Sequence, residues 1–228
     1  MKLAGKFIVI DGPDGSGKGT QLDRLGAWLG AQSTPVVRAR DPGGTVIGDR
    51  IRHVLLGYDL ADMDPACEAL LFMASRAQLV AEIVRPALAR GAIVLCDRFI
   101  SATCAYQVAA GFPRETVLAL GQIAVGTTWP DLTIVLDVPP DVGFARTGRT
   151  PQNTARKARQ AETGQLAMFA GARPDAMEAR PLEFHRRVRA LFHELPSVYP
   201  RPVVLVDATR PADEVATAVQ QVVRDALG

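Results

Sequence analysis

A glycine-rich segment with one lysine, at residues 12–20, has the composition needed to bind phosphate groups. It follows an apolar run that ends at Asp11 and precedes a pattern typical of a helix. The glycines allow backbone N–H groups to turn towards an anion, the helix adds the positive end of its dipole, and Lys18 supplies a charge to the β- and γ-phosphates. The predicted loop that binds a nucleoside triphosphate consists of Gly12, Asp14, Gly15, Ser16, Gly17, Lys18, Gly19 and Thr20.

The hydroxyl group that usually follows the lysine of such a loop is displaced by one residue. Gly19 stands in the usual place and Thr20 follows it. This variant resembles the loop of adenylate kinases and implies Mg²⁺ held largely through water. An acidic residue that ends a buried strand, Asp97, can also position the ion or its water. We therefore expect Asp97, through water, and Thr20 as metal-binding residues.

A second set of residues could bind another nucleotide. Phe72 and Arg76 are four residues apart in a helical pattern and so share one helix face. An aromatic ring can stack on a base, and an arginine can donate to a base carbonyl. Arg98 directly follows a buried strand, at the sheet edge where ligands bind in open α/β folds, and can form a forked contact with a phosphate. These spacings predict a site for a nucleotide next to the phosphate loop.

Four segments, at residues 12–20, 40–45, 70–78 and 97–107, together closely resemble the thymidylate (dTMP) kinase family of P-loop nucleoside monophosphate kinases. The resemblance covers residues 6–149 and resumes near Asp175. It implies in-line transfer of the ATP γ-phosphoryl group to dTMP, giving dTDP, with ATP bound as its Mg²⁺ complex. It also implies that Asp14 reaches the 3′-hydroxyl and that Tyr106 crowds the 2′ position. The implied substrate-binding residues are Asp14, Asp41, Arg52, Phe72, Arg76, Arg98, Thr103, Tyr106 and Gln107.

Phosphoryl transfer needs positive charge around the migrating group. Ser16 occupies a place where some members of the family have an arginine. Basic residues without an acid between them follow Asp141, and this resembles the family subtype whose lid supplies the catalytic arginines. They are Arg146, Arg149, Arg156, Lys157 and Arg159. We expect a helical lid insert at residues 146–178, with Lys18, Arg98, Arg146 and Arg149 as catalytic residues.

Five short apolar runs predict buried strands, and helical patterns separate them. Continuous apolar strands favour a parallel sheet covered on both faces. The strands are expected at Phe7–Asp11, Val36–Arg40, Ile93–Asp97, Leu132–Asp137 and Val203–Asp207. The helices are expected at Thr20–Gln32, Pro65–Arg90, Arg114–Gly126, Pro181–Leu195 and Pro211–Leu227. The predicted fold is a three-layer α/β/α P-loop kinase fold with a five-stranded parallel sheet, in one domain spanning residues 1–228.

Composition narrows the function further. With 48% hydrophobic and 22% charged residues among 228, the chain is typical of a globular protein. The net charge of +2 argues against an extended basic surface that binds nucleic acid. No apolar run is long enough to cross a bilayer. The three cysteines have no metal-binding spacing, which favours a reducing compartment. We expect a cytoplasmic protein without nucleic acid or membrane partners, and the family resemblance implies a homodimer.

Two alternatives remain open. Phe99, Ala102 and Asp41 stand where the family usually has tyrosine, serine and glutamate, which leaves room for another acceptor, such as dUMP or a 5-modified deoxyuridylate. The long lid, with a loosely matching motif at residues 175–178, motivates a different class, a nucleotide-binding regulator that has lost turnover.

The histidines His53, His185 and His193 show no pattern for catalysis or zinc and are interpreted as surface or helix residues.

Overall fold

The structure, a computed structural model, describes residues 3–32, 34–57, 63–149 and 180–228. Five parallel strands form one sheet in the order β2-β3-β1-β4-β5. They are β1 (Phe7–Asp11), β2 (Val36–Arg40), β3 (Ile93–Asp97), β4 (Leu132–Asp137) and β5 (Val203–Asp207). Each strand has the predicted bounds. Four of them are predominantly apolar runs that end in aspartate, whereas β2 is partly exposed and has two arginines among its five residues.

Helices connect the strands and cover the sheet. They are α1 (Lys18–Gly30), α2 (Val46–Gly57), α3 (Pro65–Leu79), α4 (Arg85–Ala89), α5 (Ile100–Ala109), α6 (Arg114–Val125), α7 (Pro140–Arg146), α8 (Leu182–Val198) and α9 (Ala212–Leu227). A π-helical turn, Val80–Val84, joins α3 to α4. The helix expected over Pro65–Arg90 is thus helical without a gap from Pro65 to Ala89, with this π-helical turn inside it.

Three helices in the described part of the chain were not predicted from the sequence. α5 has eight buried residues among its ten, so it shows no polar face and no helical period. α2 exposes Val46, Ile47 and Val54 to solvent, which obscures its buried side. α7 has only seven residues and begins at Pro140. Helix α1 begins at Lys18 rather than at Thr20, which brings the N–H groups of its first turn directly after the phosphate loop.

Two hydrophobic clusters lie on the two faces of the sheet, since neighbouring residues of a strand point to opposite sides. One includes Phe7 and Val9 of β1 with residues of α3, α5, α6 and α8. The other includes Ile8 and Ile10 of β1 with residues of α1 and α9. The expected three-layer α/β/α arrangement is confirmed.

Much of the predicted lid lies outside the described residues. These include Arg156, Lys157, Arg159 and the motif at residues 175–178. Arg146 and Arg149, at the start of the predicted lid, are described, and so is Arg180, which follows its end. Within residues 3–32, 34–57, 63–149 and 180–228, no helix is long and apolar enough to cross a membrane.

Candidate active site

The phosphate loop joins β1 to α1 at the carboxyl edge of the sheet. Gly17 has a φ of 87° and precedes the helix. The Nζ atom of Lys18 donates to the carbonyl oxygens of Gly12 and Pro13, at 3.0 and 2.9 Å. Ser16 Oγ is buried and has no hydrogen-bond partner within the described residues. The loop therefore holds its lysine and a hydroxyl group next to the N-terminus of α1, as an anion site requires.

Backbone contacts fix the loop against α7. A Cβ atom added to Gly15 would lie 2.3 Å from the carbonyl oxygen of Gly143, and one added to Gly143 would lie 2.4 Å from that of Asp14. Neither position accepts a side chain without a shift of the backbone. Gly143 was not predicted as a site residue, because this close approach depends on the tertiary packing of a helix remote in sequence.

Arg98 lies beside the loop and pairs with its acidic residue. Its Nη2 atom donates to Asp14 Oδ1 at 2.7 Å, and its Nη1 atom donates to the Gly12 carbonyl at 3.3 Å. Nη1 also lies 3.6 Å from Asp11 Oδ1. The guanidinium carbon is 5.1 Å from the centre of the Tyr106 ring. Arg98 has a φ of 63°, an unusual conformation for a residue with a side chain.

This group of charges shifts several pKa values. Burial, followed by the positive charge of Arg98, lowers the pKa of Lys18 to about 8. Burial alone would raise the pKa of Asp14, but Arg98, Lys18 and Arg149 together lower it. Burial raises the pKa of Asp11 despite Arg98 and the hydrogen bond from Ser101, whose Oγ lies 2.6 Å from Asp11 Oδ2. Asp11 and Ser101 were not predicted as site residues.

A cleft of about 520 Å³ opens next to Arg98, and we call it the α3–α5 cleft. This volume is typical of small-molecule sites. All nine residues that the family resemblance implied for substrate binding line it, together with Pro42, Leu56 and Ala102. Leu56 was missed because α2 was not predicted. The structure thus brings together residues spread from position 14 to position 107.

Arg76 lies at the bottom of the α3–α5 cleft and is held by several partners. Its Nε atom donates to Asp41 Oδ2 at 2.7 Å, and both side chains are 1% exposed. Its Nη2 atom donates to the Phe99 carbonyl and to Thr103 Oγ1, at 3.1 and 3.2 Å. Burial raises the pKa of Asp41 in spite of the adjacent Arg76 charge. Asp41 therefore fixes the orientation of Arg76 as well as lining the cleft.

Comparison with known proteins agrees with this arrangement. The family model described as Thymidylate kinase matches residues 10–170. The chain belongs to the thymidylate kinase family. It is 40% identical to the thymidylate kinase of Pelobacter propionicus, over 98% of this chain and 96% of that protein. It is 41% identical to the thymidylate kinase of an Exiguobacterium species, over 90% of this chain and 88% of that protein. It is 40% identical to the thymidylate kinase of Deinococcus radiodurans, over 94% of each chain.

The two described lid arginines of this thymidylate kinase family member have different surroundings. Arg149 lies 4.7 Å from the centre of the Phe144 ring, and its Nη2 atom is 3.8 Å from Asp14 Oδ2. Arg146 instead donates to the carbonyl oxygens of Ala208 and Thr209, at 2.8 and 3.1 Å. Arg146 also donates to the carbonyl oxygen of Gly15 in the phosphate loop, at 3.4 Å. Both arginines thus lie beside the phosphate loop, and Arg146 also links α7 to the segment after β5.

The predicted metal-binding residues of the thymidylate kinase fold differ in burial. Asp97 ends β3, and its Oδ1 atom is buried without a hydrogen-bond partner in the described part of the chain. Thr20 lies in the first turn of α1 and is exposed. No group of three or more histidine, cysteine, aspartate or glutamate residues among the described ones could hold a metal ion by itself. An unpartnered buried carboxylate oxygen fits Mg²⁺, which keeps much of its water and shares phosphate ligands.

The histidines were interpreted as surface or helix residues, and His185 is a helix residue that is buried. It lies on α8, 2% exposed, with its ring 5.1 Å from that of Phe144. Burial lowers its pKa to about 4, so that it is neutral near pH 7. His193, also on α8, lies 3.0 Å from Asp137 Oδ1.

Proposed function

We propose that the chain is an ATP:dTMP phosphotransferase, a thymidylate kinase that converts dTMP to dTDP in the synthesis of dTTP. Family membership over nearly the full length supports the reaction. The structural observation that carries the proposal is the contact of the phosphate loop with the α3–α5 cleft at Arg98. One guanidinium group there touches the loop backbone at Gly12 and lines the neighbouring cleft.

The mechanism follows from the chemistry of the two substrates. The acceptor phosphate of dTMP is already ionised, so its oxygen attacks the γ-phosphorus of ATP without a protein nucleophile. Catalysis therefore consists of positioning and of neutralising charge. Gly12, Gly15 and Gly17 bend the loop around the ATP phosphates, and Lys18 exchanges its carbonyl partners for phosphate oxygens. Thr20 and the N–H groups of the first turn of α1 complete this anion site.

The acceptor nucleotide lies in the α3–α5 cleft. Phe72 stacks on the base. Arg76 donates to a base carbonyl through an N–H group that is not bound to Asp41. Thr103 and Gln107 contribute further polar contacts; the Gln107 Nε2 atom is buried without a hydrogen-bond partner within the described residues. A buried donor of this kind is costly unless a ligand accepts from it.

The phosphate and sugar of dTMP contact the charged end of the cleft. Arg98 and Arg52 bind the acceptor phosphate, and Arg149 neutralises the migrating group. Asp14 accepts from the 3′-hydroxyl, while the Tyr106 ring leaves no space for a 2′-hydroxyl. Arg146 shares this catalytic role with Arg149, because it donates to the Gly15 carbonyl of the phosphate loop; it also holds α7 to the carbonyls of Ala208 and Thr209.

Mg²⁺ is the cofactor that fits this site. Asp97 would hold the ion through water, and Thr20 is the second candidate. When bound, the ion would supply positive charge that offsets the charge of the ATP phosphates. Burial lowers the pKa of Lys18, and the negative charge of Asp97 offsets part of that lowering. Asp97 thus favours the charged form of the residue that binds the phosphates.

A panel of monophosphates tests the reaction. With Mg²⁺ and ATP, we expect dTMP to stimulate ADP release selectively over dUMP, 5-hydroxymethyl-dUMP, dCMP, dGMP, AMP and GMP. Preference for dUMP or its modified form would support the second candidate, which the small Ala102 side chain in the cleft favours. No stimulation by any member, with ATP still bound, would favour a regulator without turnover.

We also propose a homodimer. Exposed apolar side chains lie on three neighbouring helices, α2, α3 and α6; among them Val46 is 73%, Leu70 53% and Ile123 81% exposed. Burial of such side chains in a second copy would be favourable. We expect light scattering to give twice the mass of 24.4 kDa and Ile123→Glu to lower it towards that of one chain. A monomeric wild-type protein would contradict the dimer.

We further propose a cytoplasmic location, and family membership is its support.

A further inference from the structure

An ion pair with a buried carboxylate joins α3 to Arg180, two residues before α8, outside the residues used in the proposed mechanism. The Nη2 atom of Arg180 lies 3.1 Å from both carboxylate oxygens of Glu68. Glu68 is 1% exposed, and a glutamate is rarely buried to this extent unless it is paired, as Glu68 is with Arg180. The guanidinium carbon of Arg180 also lies 4.5 Å from the centre of the Phe184 ring. Arg180 thus touches two elements that are far apart in sequence.

Glu68 shares its helix face with two residues of the cleft. Glu68, Phe72 and Arg76 follow one another at intervals of four residues, which places them on one side of α3. Phe72 and Arg76 line the α3–α5 cleft, and Arg76 is fixed by Asp41. The ion pair of Glu68 therefore fixes this face of α3 one turn before Phe72.

The other end of the ion pair leads to the opposite wall of the cleft. The Phe184 ring, in the first turn of α8, lies 6.3 Å from the Tyr106 ring of α5. Tyr106 lines the cleft and faces the Arg98 guanidinium at 5.1 Å. A continuous series of contacts, Glu68–Arg180–Phe184–Tyr106, thus runs from the α3 wall to the α5 wall.

We propose that Arg180 is a positioning residue for the acceptor nucleotide, which sets the distance between the Phe72 wall and the Tyr106 wall through Glu68 and Phe184. This inference rests on the proposed function, because it assigns the α3–α5 cleft to the acceptor. Arg180 itself does not line the cleft. Its contacts with the described residues do not include the phosphate loop, so its removal should affect the acceptor and spare ATP.

The test replaces Arg180 by methionine, which keeps an unbranched apolar stem and removes the charge. Without Arg180 the Glu68 carboxylate is buried without its cation, and α3 must shift or admit water. We expect the KM for dTMP to rise on the order of tenfold, with the KM for ATP unchanged. Arg180→Lys keeps the charge and should restore the KM for dTMP to within about threefold of the wild-type value.

Arg186→Met is the matched control. It removes an arginine from the same helix, half-exposed and paired with Asp141 and Glu183, that has no contact with the cleft. We expect wild-type kinetics from it. If Arg180→Met fails to fold, Glu68→Gln keeps the shape of the side chain and tests the same contact, with the same rise in KM for dTMP expected.

An unchanged KM for dTMP in a folded Arg180→Met or Glu68→Gln protein would overturn the proposal. Equal losses for ATP and dTMP would do so as well, because they would indicate a general loss of structure. A wild-type protein that does not phosphorylate dTMP would contradict the proposed function instead, and the wild-type assay separates that result from a failure of this inference.

Discussion

Replacing Lys18 by alanine should abolish measurable turnover while leaving the fold intact. Lys18 supplies positive charge to phosphates on which negative charge is concentrated during transfer, and loss of one such preorganised donor typically costs at least on the order of 10²–10³-fold in kcat. The side chain contributes little to the core, since it donates only to the loop carbonyls of Gly12 and Pro13. ADP release with saturating dTMP and Mg²⁺–ATP measures the effect, and thermal unfolding checks the fold.

Lys18→Arg is the control for charge alone. It keeps a positive group but replaces a compact ammonium by a planar fork, so we expect ATP binding with much-reduced turnover. Near-normal turnover of Lys18→Ala would contradict the mechanism, because it would mean that the loop binds ATP productively without its lysine.

The pKa of Lys18 gives a second measurement on the same residue. A pKa of about 8 means that, without bound nucleotide, the group is mostly neutral at higher pH. Triphosphate binding favours the charged form, so it should take up a proton at about pH 9 and almost none through Lys18 at about pH 6.5. Calorimetry in buffers of different ionisation enthalpy measures this uptake. Lys18→Arg, which stays charged, should lack it at the higher pH.

The strands were predicted fully from the sequence, but several site features were not. An apolar run such as Ile93–Asp97 carries its own signal, because both faces of the strand are buried. Helix α5 lacks a polar face for the same physical reason and gave no periodic pattern. A local pattern thus identifies a buried strand, while a short, wholly buried helix needs its tertiary surroundings to be recognised.

The predicted cleft residues and the missed ones differ in the same way. Phe72 and Arg76 were recognised by a spacing within one helix, and the structure places both in the α3–α5 cleft. Glu68 lies one turn earlier on the same helix, but its partner Arg180 is 112 residues away. Gly143 matters only because Gly15 approaches it across the fold. Long-range contacts of this kind have no signature in a single sequence.

Charge balance connects the two halves of the site. In the structure, Arg98 offsets the carboxylates of Asp14 and Asp11, and Lys18 adds a further positive charge. Binding of a triphosphate and a monophosphate brings additional negative charge to this point. We therefore expect Arg98 to have two tasks: to offset the charge of the neighbouring acids, and to contact the acceptor phosphate.

Replacing Arg98 by alanine should raise the KM for dTMP by about 10- to 100-fold, as expected for the loss of charged hydrogen bonds to a phosphate. A smaller rise in the KM for ATP should accompany it, since Asp14, a residue of the phosphate loop, then lacks its 2.7 Å partner. Steady-state kinetics with each substrate varied in turn measure both constants. An unchanged KM for dTMP would contradict the assignment of Arg98 to the acceptor phosphate.

A double variant separates the two tasks of Arg98. Asp14→Asn in the Arg98→Ala background removes the carboxylate that has lost its partner, so the KM for ATP should return towards the wild-type value. The KM for dTMP should stay high, because no group replaces the guanidinium at the acceptor phosphate, and Asp14→Asn alone provides the reference for any contact with the 3′-hydroxyl. If both constants recovered together, neutralisation of Asp14 would be the whole role of Arg98, and the acceptor phosphate would have to be held by Arg52 and Arg149.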